Sequence, residues 1–317
     1  MKNTLKSVLA IALAILLLVP TVAFAQETEE PAAVTTSGKV VKTLVLDDNV
    51  VVPTVGFDFE LTPATVEADL KENNIPVYAG NHALLTLEAT TLNFVNDPRE
   101  LTKETKLVLG DPTNLTPGKY RYTLKETPGT YDGITYDTTE YTLDVWVSLD
   151  EAGNKVANLV AYKGTGKVAD VTFENTYTTK NLTVKKVIAG NAADFNKKFK
   201  FTVTVNGAEG ETYATSTDDI LTTGAPFTIE LGHDETFEVY GLSPADTYTV
   251  TEDFENYTQE VEGAQEGTLT ENGTVTFTNT LSSDIPTGVI ETIAPFAIMI
   301  VVALGFAVLY FRRRQEA

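Results

Sequence analysis

Cysteine is absent from the 317-residue chain, so no disulfide can reinforce its fold. Basic side chains are scarce, with 23 Lys and Arg against 44 Asp and Glu, and the net charge of -21 makes nucleic acid and anionic membrane surfaces unfavourable partners. The two histidines, His82 and His233, are isolated. Metal-ligand clusters, nucleophile elbows and glycine-rich phosphate loops are all missing from the sequence. We therefore expect no cofactor, no metal and no enzymatic activity on an external substrate.

The N-terminal 25 residues carry the features of a secretory signal peptide. Lys2 and Lys6 precede an apolar core, and Ala23-Phe24-Ala25 forms a small-residue cleavage site before Gln26. The alternative is an uncleaved N-terminal anchor, for which the apolar run is short. We therefore expect residues 1–25 to be removed and the mature protein to leave the cytoplasm.

A second apolar run lies near the C-terminus. Residues 293–311 are almost wholly apolar and long enough to cross a bilayer, which predicts a transmembrane segment over 289–311. Arg312, Arg313 and Arg314 begin a basic tail, 312–317, that is expected to stay on the cytoplasmic side. The body of the protein therefore faces outward.

The body between these two runs has the pattern of a β protein. Runs such as YRYTLKE, KFKFTVTVNG and TYTVTED alternate apolar with polar residues and are separated by turn residues. EAGN predicts the turn of a hairpin, and a helical period is confined to TPATVEADLKENN. These patterns predict an all-β fold of two tandem β-sandwiches.

The predicted boundaries follow from composition and from the strand pattern. Residues 26–38 are rich in Glu, Thr and Ala without periodicity and predict a flexible leader. The first sandwich is predicted over 39–178 and the second over 179–282, because one strand ends before Tyr177–Lys180 and another begins directly after it. Such a short linker favours an end-to-end rod.

Both predicted domains repeat three polar residues in the same order. The first strands GKVVKTL and NLTVKKV, the later strands YTLKE and YTVTE, and the last strands VTFENT and VTFTNT each place a polar residue in phase with apolar ones. Because strand side chains alternate between two faces, each of these residues is predicted to point into the core, whereas Lys185 falls on the solvated face. The six residues are Lys42, Glu126 and Asn175 in the first domain and Lys186, Glu252 and Asn279 in the second.

Burial of a lone lysine, glutamate or asparagine is costly, so the two matching sets require an explanation. An intramolecular amide between a lysine Nζ and an asparagine Cγ, formed with loss of ammonia, accounts for all three residue types. A desolvated lysine becomes a neutral nucleophile, while a desolvated glutamate can keep a proton and shuttle it. The alternative is that the lysines lie on edge strands, the glutamates at strand ends and the asparagines at turns. The shared order and phase favour bond formation without an external enzyme.

These motifs resemble those of the streptococcal FctA-type major pilins. The likeness covers nearly the whole mature chain, through V-x-K, Y-x-x-x-E and V-x-F-x-N and through the segments GITYDTTEYTLDV and NLTVKKVIAGNAADFNKKFKFTVTV. It implies Ig-like or CnaB-like domains, each linked by an isopeptide bond. The implied bonds, with the assisting glutamate of each, are Lys42 to Asn175 with Glu126 and Lys186 to Asn279 with Glu252. Lys39 is an outside candidate for the first lysine.

The same resemblance gives a role to the C-terminal segment 283–288. It looks like a sortase sorting motif, with an acidic residue where the common LPxTG form has leucine. The motif residues are Asp284, Ile285, Pro286, Thr287 and Gly288. A sortase would cut between Thr287 and Gly288 and pass the threonyl carbonyl to an amine while the membrane segment holds the chain. The alternative is a turn followed by a permanent membrane tether.

The resemblance implies a structural backbone subunit of a surface pilus, anchored in the cell wall of a Gram-positive bacterium. A shaft subunit needs an acceptor lysine, which lies late in the first domain of similar pilins, where this chain has Lys163 and Lys167 in AYKGTGKVAD. The implied partners are sortase, further copies of the chain in a covalent polymer, minor pilins and peptidoglycan. The alternative is a cell-wall-anchored adhesin or minor pilin, in which residues 72–104 could form a ligand-binding surface or an ordinary crossover between sheets.

Overall fold

The structure is a computed structural model that describes residues 37–96, 99–283, 299–300 and 302–304. The predicted signal peptide, the sorting motif at 284–288, the basic tail and most of the predicted transmembrane segment lie outside these residues. Residues 299–300 and 302–304 are helical, and within the described ranges no helix has the length and apolar character needed to cross a membrane. The rest of the described chain is dominated by β-strands.

The first domain is a sandwich of two β-sheets. Its strands are β1 Ser37–Val45, β2 Val55–Pro63, β3 Lys71–Glu72, β4 Ile75–Ala79, β5 Leu85–Leu87, β6 Thr91–Phe94, β7 Thr102–Leu109, β8 Gly118–Thr127, β9 Ile134–Thr135, β10 Glu140–Leu149, β11 Lys155–Lys163, β12 Gly166–Val168 and β13 Val171–Tyr177. One sheet has the order β5-β7-β1-β13-β9. The other has the order β12-β11-β10-β8-β2-β6, and the short strands β3 and β4 join it through β8.

The second domain repeats this arrangement on a smaller scale. Its strands are β14 Lys180–Ala189, β15 Phe199–Asn206, β16 Thr212–Ala214, β17 Ile220–Thr222, β18 Phe227–Leu231, β19 Thr236–Leu242, β20 Thr247–Asp253, β21 Thr258–Glu262, β22 Glu266–Gly267 and β23 Gly273–Thr280. The two main sheets have the orders β19-β14-β23-β21 and β18-β15-β20-β22, and β16 pairs with β17. The prediction of an all-β protein with sandwich domains is confirmed.

Alternation of side chains builds each core from both of its sheets. Along β13, Val171, Phe173, Asn175 and Tyr177 are buried, whereas the residues that alternate with them are exposed. The three apolar residues meet buried residues of the opposite sheet such as Tyr122 and Leu143 in a single apolar cluster. Lys42, Glu126 and Asn175 alternate in phase with the apolar residues of their strands, so their side chains also point into the interior.

The first and last strands of each domain are neighbours that run parallel. In the pairing of β1 with β13, Lys42 lies opposite Phe173, and Asn175 is the next inward residue along β13. In the pairing of β14 with β23, Lys186 lies opposite Phe277 with Asn279 in the corresponding place. Both domains therefore bring a lysine and an asparagine from opposite ends of their sequence onto adjacent strands.

Two local expectations have different outcomes. The predicted hairpin is present, because β10 pairs antiparallel with β11 around a turn at 150–154. The helical period of TPATVEADLKENN is misleading, since that stretch forms turns and the short strand β3. Asp69, Asn73 and Asn74 there have positive φ values of 58°, 49° and 63°, which a right-handed helix does not accept.

Residues 72–104 belong to the sandwich of the first domain. Within this stretch β4 pairs with β8, β5 with β7, and β6 with β2. It therefore supplies strands to both sheets, which is the arrangement expected of a crossover.

The two domains contact each other through hydrogen bonds as well as through a short linker. Glu211 of the second domain accepts hydrogen bonds at Oε1 from the hydroxyl groups of Tyr131, at 3.1 Å, and Tyr177, at 3.2 Å. The main-chain N–H of Ala245 donates to Asp132 Oδ2 at 2.8 Å. These contacts restrain the swing of one domain against the other.

Candidate crosslinking sites

The first candidate site lies in the core between the two sheets of the first domain. Lys42 of β1 and Asn175 of β13 are 0% exposed, and Glu126 of β8 is 3% exposed. The lysine and asparagine therefore come from neighbouring strands of one sheet, and the glutamate comes from the sheet that faces them.

Glu126 bridges the other two side chains of the first site. Lys42 Nζ donates to Glu126 Oε2 at 2.6 Å, and Asn175 Nδ2 donates to Glu126 Oε1 at 2.5 Å. One carboxyl group thus contacts both the nucleophile and the leaving nitrogen of the predicted amide-forming reaction. This is the position from which it can carry a proton between them.

Burial makes Lys42, the nucleophile of the predicted reaction, easier to deprotonate. Desolvation lowers the pKa of Lys42 from its usual value, and it outweighs the opposing hydrogen bond and charge of Glu126. The ring of Phe57 faces the ammonium group, with its centroid 4.6 Å from Nζ. The apolar surroundings thus favour the neutral amine that the attack requires, and the adjacent carboxyl group is placed to accept the proton that the lysine loses.

The second site repeats this geometry with equivalent strands. The side chains of Lys186 on β14 and Glu252 on β20 are fully buried, and so is Asn279 on β23. Lys186 Nζ and Asn279 Nδ2 both contact Glu252 Oε1, each at 2.9 Å. Desolvation is again the main cause that lowers the pKa of the lysine, and the ring of Phe199 lies 4.5 Å from its Nζ.

The two sites differ around the asparagine carbonyl and the glutamate. Asn175 Oδ1 accepts a hydrogen bond from the main-chain N–H of Asp137 at 2.7 Å. Asn279 Oδ1 is buried and has no hydrogen-bond partner among the described residues. In the second site Gln259 Nε2 instead donates to Glu252 Oε2 at 2.7 Å.

The other lysines considered from sequence lie outside the cores. Lys39 pairs with Glu104 at the surface with 43% of its side chain exposed, and Lys185 is 41% exposed beside Asp234. Lys163 and Lys167 are exposed and lie on the tight hairpin of β11 and β12. Lys42 is thus the lysine that the fold brings to Asn175, and the hairpin lysines are available to a partner.

The histidines occupy positions that do not resemble a reactive centre. His82 is exposed, and His233 Nδ1 accepts the main-chain N–H of Ile188 at 3.0 Å. Within the described part of the chain, no group of histidine, cysteine or acidic residues is arranged to hold a metal ion.

Several residues of the two sites were not singled out from the sequence. Phe57 and Phe199 had a usable signal, since the second strand of each domain carries F-x-F, in GFDFEL and KFKFTV. Asp137 acts through its main chain from a segment without regular structure, and Gln259 lies on a strand whose pairing the sequence does not reveal. Neither has a counterpart in the other domain that a repeat search would find.

Comparison with known proteins identifies the family. Residues 38–178 match FctA, described as a Spy0128-like isopeptide containing domain, and residues 180–281 match a domain family of unknown function, DUF7601. The chain is 30% identical to a pilin of Streptococcus pyogenes serotype M1, over 93% of this chain and 96% of that protein. The chain belongs to the FctA-type pilin family. The resemblance inferred from the motifs is confirmed.

Solved structures show the same fold for this pilin. The crystal structure of a major pilin from Streptococcus pyogenes matches with a TM-score of 0.58 and 25% identity, covering 78% of this chain and 99% of that one. A second major pilin of that organism, T3.2, matches with a TM-score of 0.59 at 23% identity, covering 80% and 99% of the two chains. The tandem sandwich is therefore the fold of pilus subunits.

Proposed function

We propose that this pilin is the structural backbone subunit of a sortase-assembled surface pilus, and that each domain crosslinks itself by a Lys–Asn isopeptide bond. The observation that carries the proposal is the duplicate buried site. In both domains a lysine, a glutamate and an asparagine meet on equivalent strands, and in both the lysine faces an aromatic ring. An arrangement that arose by chance would not be found in both cores, where the lysines and asparagines are 0% exposed.

The reaction needs no outside reagent. The buried lysine passes a proton to the glutamate, and the neutral Nζ attacks the asparagine Cγ. The resulting tetrahedral centre collapses with cleavage of the Cγ–Nδ2 bond, and the glutamate returns its proton so that the nitrogen leaves as ammonia. The attacking nitrogen gives its second proton to the glutamate, which passes it to the departing ammonia. The products are therefore one secondary amide and one ammonium ion, and the glutamate ends as a carboxylate. The folded core supplies the proximity that makes the attack effectively unimolecular.

The surface features support assembly into a polymer. Lys163 or Lys167 on the exposed hairpin is the proposed acceptor for the threonyl carbonyl of Thr287 from another copy. The proposed partners are sortase, further copies of the chain, minor pilins and peptidoglycan, and the proposed location is the cell wall. The integration of residues 72–104 into both sheets favours this shaft role over the adhesin or minor-pilin alternative.

Intact mass under denaturing conditions tests the crosslinks. We expect the full chain to be lighter than its sequence by two molecules of ammonia, one for each buried site. A Glu126→Ala variant and a Glu252→Ala variant should each be lighter by one, and the double variant should show the sequence mass. A wild-type chain at its sequence mass would show that the sites do not react, and the proposal of self-formed crosslinks would fail.

A further inference from the structure

The amide of Asn175 is held at both of its polar atoms. Nδ2 donates to Glu126 Oε1 at 2.5 Å, and Oδ1 accepts the main-chain N–H of Asp137 at 2.7 Å. Because a main-chain N–H can only donate, it requires the oxygen of the side-chain amide on its side. The carbonyl that Lys42 must attack is therefore already polarised by a fixed donor.

We propose that the main-chain N–H of Asp137 is an oxyanion donor that stabilises the tetrahedral intermediate of amide formation in the first domain. The inference rests on the proposed crosslinking reaction. When Lys42 Nζ bonds to Asn175 Cγ, the electron pair of the C=O double bond moves onto Oδ1, where the Asp137 N–H meets it. The pair returns to re-form C=O as the Cγ–Nδ2 bond breaks, and Nδ2 leaves as ammonia with a proton from Glu126.

The segment around Asp137 is arranged to keep this N–H in place. It follows β9, which pairs with β13 close to Asn175. The carboxylate of Asp137 accepts the main-chain N–H of Thr139 at 2.7 Å and that of Glu174 at 2.9 Å. Burial disfavours its charge, but these hydrogen bonds outweigh burial and lower the pKa of Asp137. The side chain is thus a positioning group, and the main-chain N–H is the group that touches the reacting oxygen.

The second domain lacks this donor. Asn279 Oδ1 is buried without a hydrogen-bond partner in the described residues. The nearby Gln259 donates to Glu252 rather than to the carbonyl. We therefore expect the bond of the first domain to form faster than the bond of the second.

Timed mass measurement tests the role of the N–H. The full chain is synthesised by cell-free translation in detergent, and samples are denatured at intervals after synthesis stops. The variants carry Glu252→Ala as well, so that only the first bond can form and a single ammonia is counted. Asp137→Pro removes the donor because proline has no main-chain N–H. We expect ammonia loss to slow by about 10²-fold, the usual effect of deleting one oxyanion donor.

A second proline supplies the matched control. Thr138→Pro introduces the same ring one residue later, at an exposed position, and leaves the N–H of Asp137 intact. It should react at nearly the rate of the parent chain. Equal rates for the two proline variants would overturn the proposal. A parent chain that loses no ammonia at all would instead contradict the proposed crosslinking function, so the two failures are distinguishable.

Side-chain variants decide the matter if Asp137→Pro prevents the first domain from folding. Asp137→Ala and Asp137→Asn both remove the charge near Lys42, so their difference reports on the position of the N–H alone. The side-chain oxygen of asparagine can still accept the hydrogen bond of the Thr139 main-chain N–H, whereas alanine has no acceptor. We expect the alanine variant to react several-fold more slowly than the asparagine variant. Equal rates would show that the placement of this segment is irrelevant to the reaction.

Discussion

Loss of contact with water destabilises the charged form of the two buried lysines, and the same effect would make them reactive. Lys42 and Lys186 are 0% exposed, and desolvation lowers the pKa of each. A charge in such a place is tolerated because a glutamate lies beside it, and removal of one partner of a buried pair commonly costs about 3–5 kcal/mol. Amide formation would replace the charged amine with a neutral group, so the reaction relieves the cost that made the lysine reactive.

Replacement of Lys42 by arginine separates charge from nucleophilicity. Arginine keeps its proton at all accessible pH values and cannot attack as a neutral amine. We expect Lys42→Arg to lose one ammonia instead of two and to melt at a lower temperature. Lys39→Arg is the control, because Lys39 lies at the surface against Glu104, and it should still lose two. If Lys39→Arg lost only one ammonia, the first crosslink would have to be formed by Lys39 and not by Lys42.

The side chains that we propose to react were predictable from the sequence, whereas part of their surroundings was not. Alternation along strands identifies which residues point inward, so Lys42, Glu126 and Asn175 could be chosen by phase and by their repetition. The sequence does not show which loop passes over a buried carbonyl, and this is why Asp137 was missed. Every residue except proline has a main-chain N–H, so the sequence does not mark which one acts as a donor.

Strand adjacency determines how each domain would bear force. The first and last strands of each domain are parallel neighbours, and each proposed bond joins them. Tension that enters at one end of a domain and leaves at the other therefore passes directly from one strand through the amide to its neighbour. The intervening strands are not in the path, and their hydrogen bonds need not break. Without cysteine, this route is also insensitive to reductants.

The thermal stability of the second domain should depend on Glu252. Without it Lys186 lacks its partner and the bond should not form. A crosslink that closes a loop of roughly 100 residues contributes about 4–5 kcal/mol in the chain-entropy description. For a domain of this size that corresponds to a fall in melting temperature of about 15 °C or more.

Differential scanning calorimetry measures this fall. In Glu252→Ala only the transition of the second domain should move, while that of the first domain stays in place. Glu260→Ala is the matched control, because Glu260 is exposed on β21 of the same domain. An unmoved second transition in Glu252→Ala would show that the glutamate has no part in stabilising the domain.

Strand patterns predicted most elements but failed where local geometry departs from the pattern. The alternating runs of β10 and β11 and the turn between them appear as expected. The helical period before β4 did not produce a helix, because an apolar period carries no information about the left-handed residues Asn73 and Asn74. Near its end the segment instead forms the short strand β3, Lys71–Glu72, which pairs with β4.

At the scale of the whole molecule, hydrogen bonds at the junction join the two domains. Glu211 accepts hydrogen bonds from Tyr131 and Tyr177 of the first domain and, through Oε2, from Tyr213 of its own domain at 3.1 Å. Burial, followed by the charge of Glu211, raises the pKa of Tyr131 and Tyr177. Both hydroxyls therefore remain donors far above neutral pH. A subunit whose domains are linked in this way can pass tension along its length without a loose joint.

The polymer itself provides the last test. In a Gram-positive host that expresses the cognate sortase, we expect the wild-type chain to form ladders that resist boiling in SDS. Changing both Lys163 and Lys167 to arginine should abolish them, since a guanidinium group does not act as an amine nucleophile. Lys106→Arg with Lys198→Arg is the control, because these lysines are 66% and 52% exposed in other strands and loops, and its ladders should persist. Ladders that survive the hairpin double variant would place the acceptor elsewhere. A wild-type chain that is wall-linked but never polymeric would favour the adhesin or minor-pilin role, because the shaft requires one copy to be joined to the next.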